Sequence, residues 1–344
     1  MGKLGLLGFG LALAGCVGPG NSNASATQVH RTRSIPCAGI AVDSRGWTSP
    51  WYSAPFAFDE LLPSWNVSRE ASAPFRVEVQ VRQAAQHSPT PWLDLGGWGN
   101  WAEDRRASTE SATARVEVDL LKLTQPQTAV RVRVATDGVV SLRSFHLCFS
   151  RTVNLAATST ADERRQTPAL SVPQRRQTSE AQDLAPRICS PTAVSMVLAQ
   201  QGAVHPTRKV AELLYDPQND IYGNWNRAIQ GAFELGVHGH LARFNGWSEV
   251  ADQLLEGTPL ILSIGVQEGQ LTGAPYAATS GHLIVLVGLD GAGGALILDP
   301  AVPPSETGPR TYAMSELDSV WLKRGGFSYV LGSPEPVPTL KTED

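Results

Sequence analysis

The sequence predicts two domains in series: an all-β sandwich, jelly-roll-like, followed by an α+β domain whose helices precede an antiparallel sheet. Three observations carry this prediction. Between residues 36 and 151, apolar and polar residues alternate over short stretches such as Arg76-Val77-Glu78-Val79-Gln80-Val81-Arg82, with no helical period. Residues 152–171 then form a polar, aperiodic linker, with Pro168 and Pro173 bracketing a short run. From residue 189 onward apolar residues recur at helical spacing, and from 259 they gather into compact strand-like runs.

The chain has 344 residues, enough for about two ordinary domains, and 42% hydrophobic residues, enough for a sizeable core. Its net charge of −4, with no basic block, argues against nucleic acid as a partner. Residues 4–14 are apolar but interrupted by Gly5, Gly8 and Gly10, and are too short for the roughly 20 residues a bilayer span needs. They follow a single cation, Lys3, and lead into Leu13-Ala14-Gly15-Cys16, which resembles the bacterial lipobox. That resemblance implies a lipoprotein-type signal over 1–16, lipidation of Cys16 and attachment to the bacterial cell envelope. Plain secretion is the alternative. Residues 17–35, rich in Ser, Asn, Thr and Gly, read as a polar tether.

Within the first domain (36–151), Arg76 to Arg82, Arg115 to Leu120 and Val130 to Val134 each alternate as half-buried strands do. Asp137-Gly138 is a hairpin signal before the closing run that includes His146-Leu147-Cys148-Phe149. Six of the nine tryptophans lie here, at 47, 51, 65, 92, 98 and 101. They are core residues or, around Trp92 to Trp101, an exposed face for stacking on carbohydrate. The domain has no catalytic constellation, so its expected role is binding a cell-wall polymer or a protein. Cys37 and Cys148, near its two ends, are possible disulfide partners in an oxidising envelope.

The second domain (172–334, with a polar tail over 335–344) opens on Cys189-Ser190-Pro191-Thr192. Ser190 is a candidate N-cap, Pro191 suits the first helical turn and Gly202 ends the helix. Further helices are expected over 206–214, 225–235 and from Ser248 to 255. Strands are expected over 259–264, 282–289, 295–299 and 327–331, with a return segment at Thr311-Tyr312. The run His282-Leu283-Ile284-Val285-Leu286-Val287-Gly288-Leu289 has almost no polar residue and should be a central strand.

With Cys16 assigned to lipid and Cys37 to Cys148, Cys189 is the odd thiol. A cysteine at a helix N-terminus meets the positive end of the helix dipole, which favours the thiolate and hence a nucleophile. Its base and orienting group are sought among the histidines. His282 stands at the mouth of the most apolar strand. If Asp290-Gly291 makes a two-residue hairpin turn, 289 faces 292 and 282 faces 299, with Cβ atoms about 5 Å apart. Asp299 would then accept a hydrogen bond from one ring nitrogen and leave the other for the thiol. A longer loop at Gly291 to Gly294 would shift this register.

These residues carry a resemblance. Val172-Pro173-Gln174-Arg175-Arg176-Gln177, Cys189-Ser190-Pro191-Thr192, Tyr215-Asp216-Pro217, Gly223-Asn224-Trp225-Asn226, Gly273-Ala274-Pro275, Gly281-His282-Leu283 and Asp299-Pro300-Ala301 follow one another, over roughly 172–333, as in papain-like cysteine peptidases of the bacteriocin-processing (double-glycine leader) family. The likeness is to the stand-alone secreted branch, with the β domain resembling the sandwich ahead of such peptidases. It implies Cys189 as nucleophile, His282 as general base and acid, and Asp299 as its orienting group. It also implies a glutamine beside the oxyanion: Gln177 by motif, with Gln182 the alternative by spacing. Ile188 and Ser190 flank the cysteine where family members often have glycine or tryptophan. The expected activity is hydrolysis of peptide or amide bonds, with no metal and no cofactor. An inactive scaffold carrying a binding module, and amide or acyl transfer by the same triad, are the other readings.

Overall fold

A computed structural model describes residues 27–100, 108–153, 165–333 and 336–343. Cys16, Trp101 and the middle of the expected linker lie outside these residues. In the first domain the strands are β1 (Thr27–Ser34), β2 (Ala41–Val42), β3 (Trp47–Thr48), β4 (Tyr52–Arg69), β5 (Phe75–Arg82), β6 (Leu93–Trp98), β7 (Ala114–Glu117), β8 (Leu120–Thr136) and β9 (Val140–Val153). They pair antiparallel into a single nine-stranded sheet of order β1-β9-β4-β8-β5-β6, with β2 on β9 and with β3 and β7 on β8. Where a two-sheet sandwich was expected, the 18-residue β4 and 17-residue β8 run through the whole sheet. Their pairing shifts register around Phe58, where bulges bend the strands. One apolar cluster then draws on β4, β5, β6, β8 and β9, with Phe58, Trp65, Val77, Val132 and Phe145 all fully buried.

The alternation on β5 is resolved in both directions. Val77, Val79 and Val81 enter this core. On the opposite face Arg76 pairs with Asp94, Glu78 with Arg133 and Gln80 with Arg131. Trp92, expected on an exposed face, is half-buried on this side of the sheet, as is Trp51. Trp51 lies against Arg82 and Arg131, and Trp92 against Arg131 and Arg133. Trp98 is buried against Arg227 of the second domain.

The second domain comprises α1 (Cys189–Gln200), α2 (Thr207–Leu214), α3 (Trp225–Glu234), β10 (Gly239–Arg243), α4 (Trp247–Leu255), β11 (Leu260–Val266), β12 (Thr279–Leu289), β13 (Gly294–Leu298), β14 (Arg310–Ala313), α5 (Met314–Val320) and β15 (Phe327–Leu331). Its antiparallel sheet has the order β10-β15-β11-β12-β13-β14. The apolar run in β12 has a simple cause: both faces of the sheet are covered. Leu283, Val285 and Val287 join the cluster with α1, α2 and α3. Ile284 and Leu286 join the one with α4 and α5. No helix among the described residues is long and apolar enough to cross a membrane.

The two domains share structure. Leu62 of β4 and Cys148 of β9 sit in the same cluster as α1 and α3. Gln230 of α3 accepts from the Val67 N–H (3.0 Å) and donates to its carbonyl (2.9 Å), and Asn66 does the same for Gly239 (3.1 and 2.7 Å).

Several expectations are corrected. Residues 27–34, placed in the tether, form β1 along the His146–Val153 half of β9. Residues 165–170, placed in the linker, lie beside β12 where β11 has ended: the Thr167 and Leu170 N–H groups donate to Leu289 and Val287. The tail also returns, with Leu340 buried in the first domain's core and Glu343 paired with Arg82. Asp137-Gly138 does not join paired strands, because β4 lies between β8 and β9. Nor is Arg115 to Leu120 one strand; it turns at Val118 and Asp119, between β7 and β8. Cys37 and Cys148 are both free thiols. They point to opposite sides of the sheet, Cys37 into the first domain's core and Cys148 into the core shared with α1.

Candidate active site

Helix α1 begins at Cys189 itself, two residues earlier than a Ser190 cap would give; Ile188 precedes it and no side chain caps it. Ser190 instead has its hydroxyl 3.1 Å from that of Tyr329 in β15. Pro191 through Leu198 are buried, so the helix is held by packing on every side and its first turn is fixed. Cys189 is half-buried at the dipole's positive end.

The structure brings His282 and Asp299 together. The Nε2 of His282 is 2.8 Å from Asp299 Oδ1, with the residues 5% and 1% exposed. They are not directly opposite each other. Val285 pairs with Leu298 and Leu286 with Ile297, so position 284, not 282, is level with 299. Pairing stops at Leu298, and Asp299 reaches His282 along the diagonal.

Asp299 is saturated with donors. Oδ1 also accepts the Ala301 N–H (2.8 Å), and Oδ2 accepts the hydroxyls of Tyr276 (3.0 Å) and Tyr312 (3.1 Å). The Tyr276 ring meets His282 edge-on at 4.9 Å between centroids. These two tyrosines were missed by sequence reasoning. Neither falls in a motif, and only the register of β13 on β14 brings Tyr312 beneath the carboxylate.

With Nε2 turned to Asp299, the other ring nitrogen is left clear of that carboxylate, and the Cys189 thiol and the His282 ring lie close enough to shift each other's protonation. Burial works against both charged forms. At Cys189 it is outweighed by the bond and charge of His282 and by the N–H groups of Leu283 and Ser190, which hold the thiol below its ordinary range. At His282 the bonds to Asp299 and Cys189 overcome burial and hold the imidazolium up to about 10. Burial likewise opposes the Asp299 carboxylate, and the donors from His282, Ala301 and Tyr276 keep it below its usual value. All three directions favour a thiolate–imidazolium pair beside a carboxylate.

Of the two glutamines, Gln177 donates its backbone N–H to Pro300 (2.9 Å), the residue after Asp299, and its side-chain Oε1 is buried without a protein partner. Gln182 is exposed. Beside Cys189 lies a cleft of about 370 Å³, lined from both domains. Among the described residues no group of His, Cys, Asp and Glu could hold a metal ion.

Comparisons with known proteins agree with this arrangement of the chain. Residues 169–329 match the Peptidase_C39 like family, and residues 22–137 match the Peptidase C39 N-terminal domain. No curated protein matches. Among solved structures, a double glycine motif protease from an AMS/PCAT transporter, in complex with the leader peptide, is 21% identical. That match covers 49% of this chain and 99% of that one, with a TM-score of 0.34. A T13 particle of infectious bursal disease virus matches at 11% identity over 43% of this chain and 36% of that one, with a TM-score of 0.25. The two family matches together span most of the chain, which is therefore a cysteine peptidase of the peptidase C39-like family, carrying that family's N-terminal domain.

Proposed function

We propose that this peptidase cleaves peptide bonds through Cys189, His282 and Asp299. The observation that carries the reading is the 2.8 Å bond from His282 to a buried, fully satisfied Asp299, with the other ring nitrogen left for a thiol at the head of α1. Cys189 attacks the scissile carbonyl as the thiolate. The resulting oxyanion is held by the Cys189 backbone N–H and by the amide of Gln177, which is tied to the Asp299-Pro300 segment. His282 gives its proton to the leaving amine, and an acyl-enzyme remains on Cys189. His282 then takes a proton from water, the hydroxide attacks the thioester, and Cys189 leaves as the thiolate while the acid is released, so that His282 keeps the proton and the ion pair is restored. Asp299 fixes the ring orientation and its charge throughout.

Cys189→Ala is expected to abolish both hydrolysis and labelling by an irreversible thiol-directed peptidase probe. A variant that is still labelled at full rate, on either of the two other described cysteines, sinks this assignment. We further propose export and lipid attachment through Cys16, on the strength of Leu13-Ala14-Gly15-Cys16 after a short apolar run. Mass spectrometry of membrane-extracted protein should find a diacylated peptide beginning at residue 16. Recovery of that peptide unmodified would refute the anchor.

A further inference from the structure

The turn between β7 and β8 belongs to the first domain, yet it forms a wall of the cleft at Cys189. Val118 and Leu120 stand on one side, with Trp225, Phe327, Ile264 and Leu283 of the second domain around them. The turn is not loosely apposed. Asp119, 5% exposed, accepts the backbone N–H of Trp225 at 2.8 Å, so a side chain of one domain holds the first turn of α3 in the other. Trp225 is thereby tied to the turn, and its ring packs on Phe327 with centroids 4.5 Å apart. Val118 adopts φ +56°, a backbone region that β-branched residues avoid. Such strain persists where the surroundings over-determine it, and it gathers at functional sites. The charges nearest the turn are already neutralised, since Glu117 is paired with both Arg115 and Lys122 and Arg187 with Asp220. Arg324, Ser263 and Ser280 also line the cleft, but most of the surface facing it between the domains is apolar. The cleft's volume of about 370 Å³ lies near the lower end of the roughly 300–1,000 Å³ of small-ligand pockets, so it suits one or two side chains of an extended peptide.

We propose that the β7–β8 turn is a specificity element, closing with Trp225 and Phe327 an apolar subsite that takes an aliphatic or aromatic side chain of the peptide next to the bond attacked by Cys189. The N-terminal domain is then part of the substrate-binding surface. This rests on Cys189 as the nucleophile, and the test separates the two. The probes are peptidyl chloromethyl ketones bearing Leu, Phe, Ser or Asp at the two positions nearest the warhead. Each rate of Cys189 alkylation in the full chain is divided by that of iodoacetamide, which is too small to fill a subsite. In the wild type, Leu or Phe at one of these positions is expected to be favoured over Ser or Asp by about 10-fold or more, the discrimination an apolar pocket gives for small changes in buried surface. Leu120→Ala, and Val118→Gly, which removes a side chain where glycine relieves the φ strain, should each bring that ratio towards one. A wild-type ratio near one, or a ratio unchanged in both variants while iodoacetamide still reacts at Cys189, overturns the subsite. Failure of Cys189 to react with any reagent overturns the nucleophile and the subsite with it.

Discussion

Replacing Asp299 by Asn tests the electrostatic core of the site with almost no change of shape. The amide oxygen can still accept from His282 Nε2 and from Ala301, but the negative charge is lost, and the hydroxyls of Tyr276 and Tyr312 meet an NH₂ donor where they met an acceptor. Two unit charges 2.8 Å apart attract by about 6 kcal/mol at an effective dielectric near 20, and desolvation offsets much of that. The net worth of a hydrogen bond to a charged group is about 1.5–3 kcal/mol. At 1.36 kcal/mol per pKa unit, this lowers His282 from about 10 by about 1–2 units. The sign follows from which form the carboxylate favours. His282 is held in the protonated state, so the thiolate–imidazolium pair exists between deprotonation of Cys189 on the acid side and of His282 on the basic side. Asp299→Asn moves the basic limb to lower pH. It also weakens the cation that stabilises the thiolate, so the acid limb moves up and the active window narrows from both sides. At the optimum kcat/KM should fall by roughly 10- to 150-fold, the same 1.5–3 kcal/mol expressed in the transition state. Iodoacetamide alkylation of Cys189 followed across pH reads both limbs without a known substrate, and a thermal melt confirms that the variant is folded. Limbs that stay within a few tenths of a unit of wild type would show that Asp299 does not hold the charge of His282.

Gln177→Ala should lower kcat by about 10²–10³ with KM little changed, the loss typical of one oxyanion donor, whereas Gln182→Ala, at an exposed position, should leave kinetics as they are. Equal losses in the two variants would contradict the assignment. Acid should weaken the joined domains through two buried histidines and the half-buried His240. Burial, with the charges of Arg243 and Arg31, lowers His30 to about 2; burial, with His240 and His238, lowers His146 to about 3; burial alone lowers His240 to about 4. Each is neutral when folded and protonates near 6.5 when unfolded, so its contribution is whole above that pH. It falls by up to about 1.4 kcal/mol per pH unit as the pH drops towards the folded value. Thermal melts at pH 7 and pH 5 check this, and a flat dependence would exclude it.

The elements built on period and punctuation were legible. The four helices expected in the second domain stand within a residue or two of their expected positions, because apolar residues recur at helical spacing and Gly202 marks an end. β12 was legible because two covered faces leave no polar position along it. α5 and β10 were not: α5 spans only Met314–Val320, and the turn of apolar residues in Gly239–Arg243 is too short to show a period. The first domain's tether and tail were misread for a different reason. Thr27–Ser34 is polar because it is an edge strand, and in 336–343 only Val337 and Leu340 are aliphatic, of which Leu340 enters the core. Composition records exposure, and an edge strand is exposed.

Residue identity in the candidate site proved more robust than register. Asp290 does turn the chain, but through a wider loop: its N–H donates to Gly294, and its carboxylate accepts from Ala292 and Gly294. That loop and the irregularity between Leu286 and Gly288 move the pairing two residues from the two-residue-turn expectation. The His282–Asp299 contact survives because a histidine can span a diagonal and because Asp299 is the first residue beyond the paired strand, free to turn its carboxylate inward. The β7–β8 turn escaped for the opposite reason. The alternation of Arg115 to Leu120 reads as a continuous strand, and valine is the last residue propensity would place in a left-handed turn. The two errors share a cause. Local pattern specifies which residues a strand offers, while loop length and tertiary packing decide where the strand stops. In this protein those stopping points, after Leu298 and at Val118, are where the chain leaves its sheets to set the carboxylate beside His282 and a wall of the cleft at Cys189.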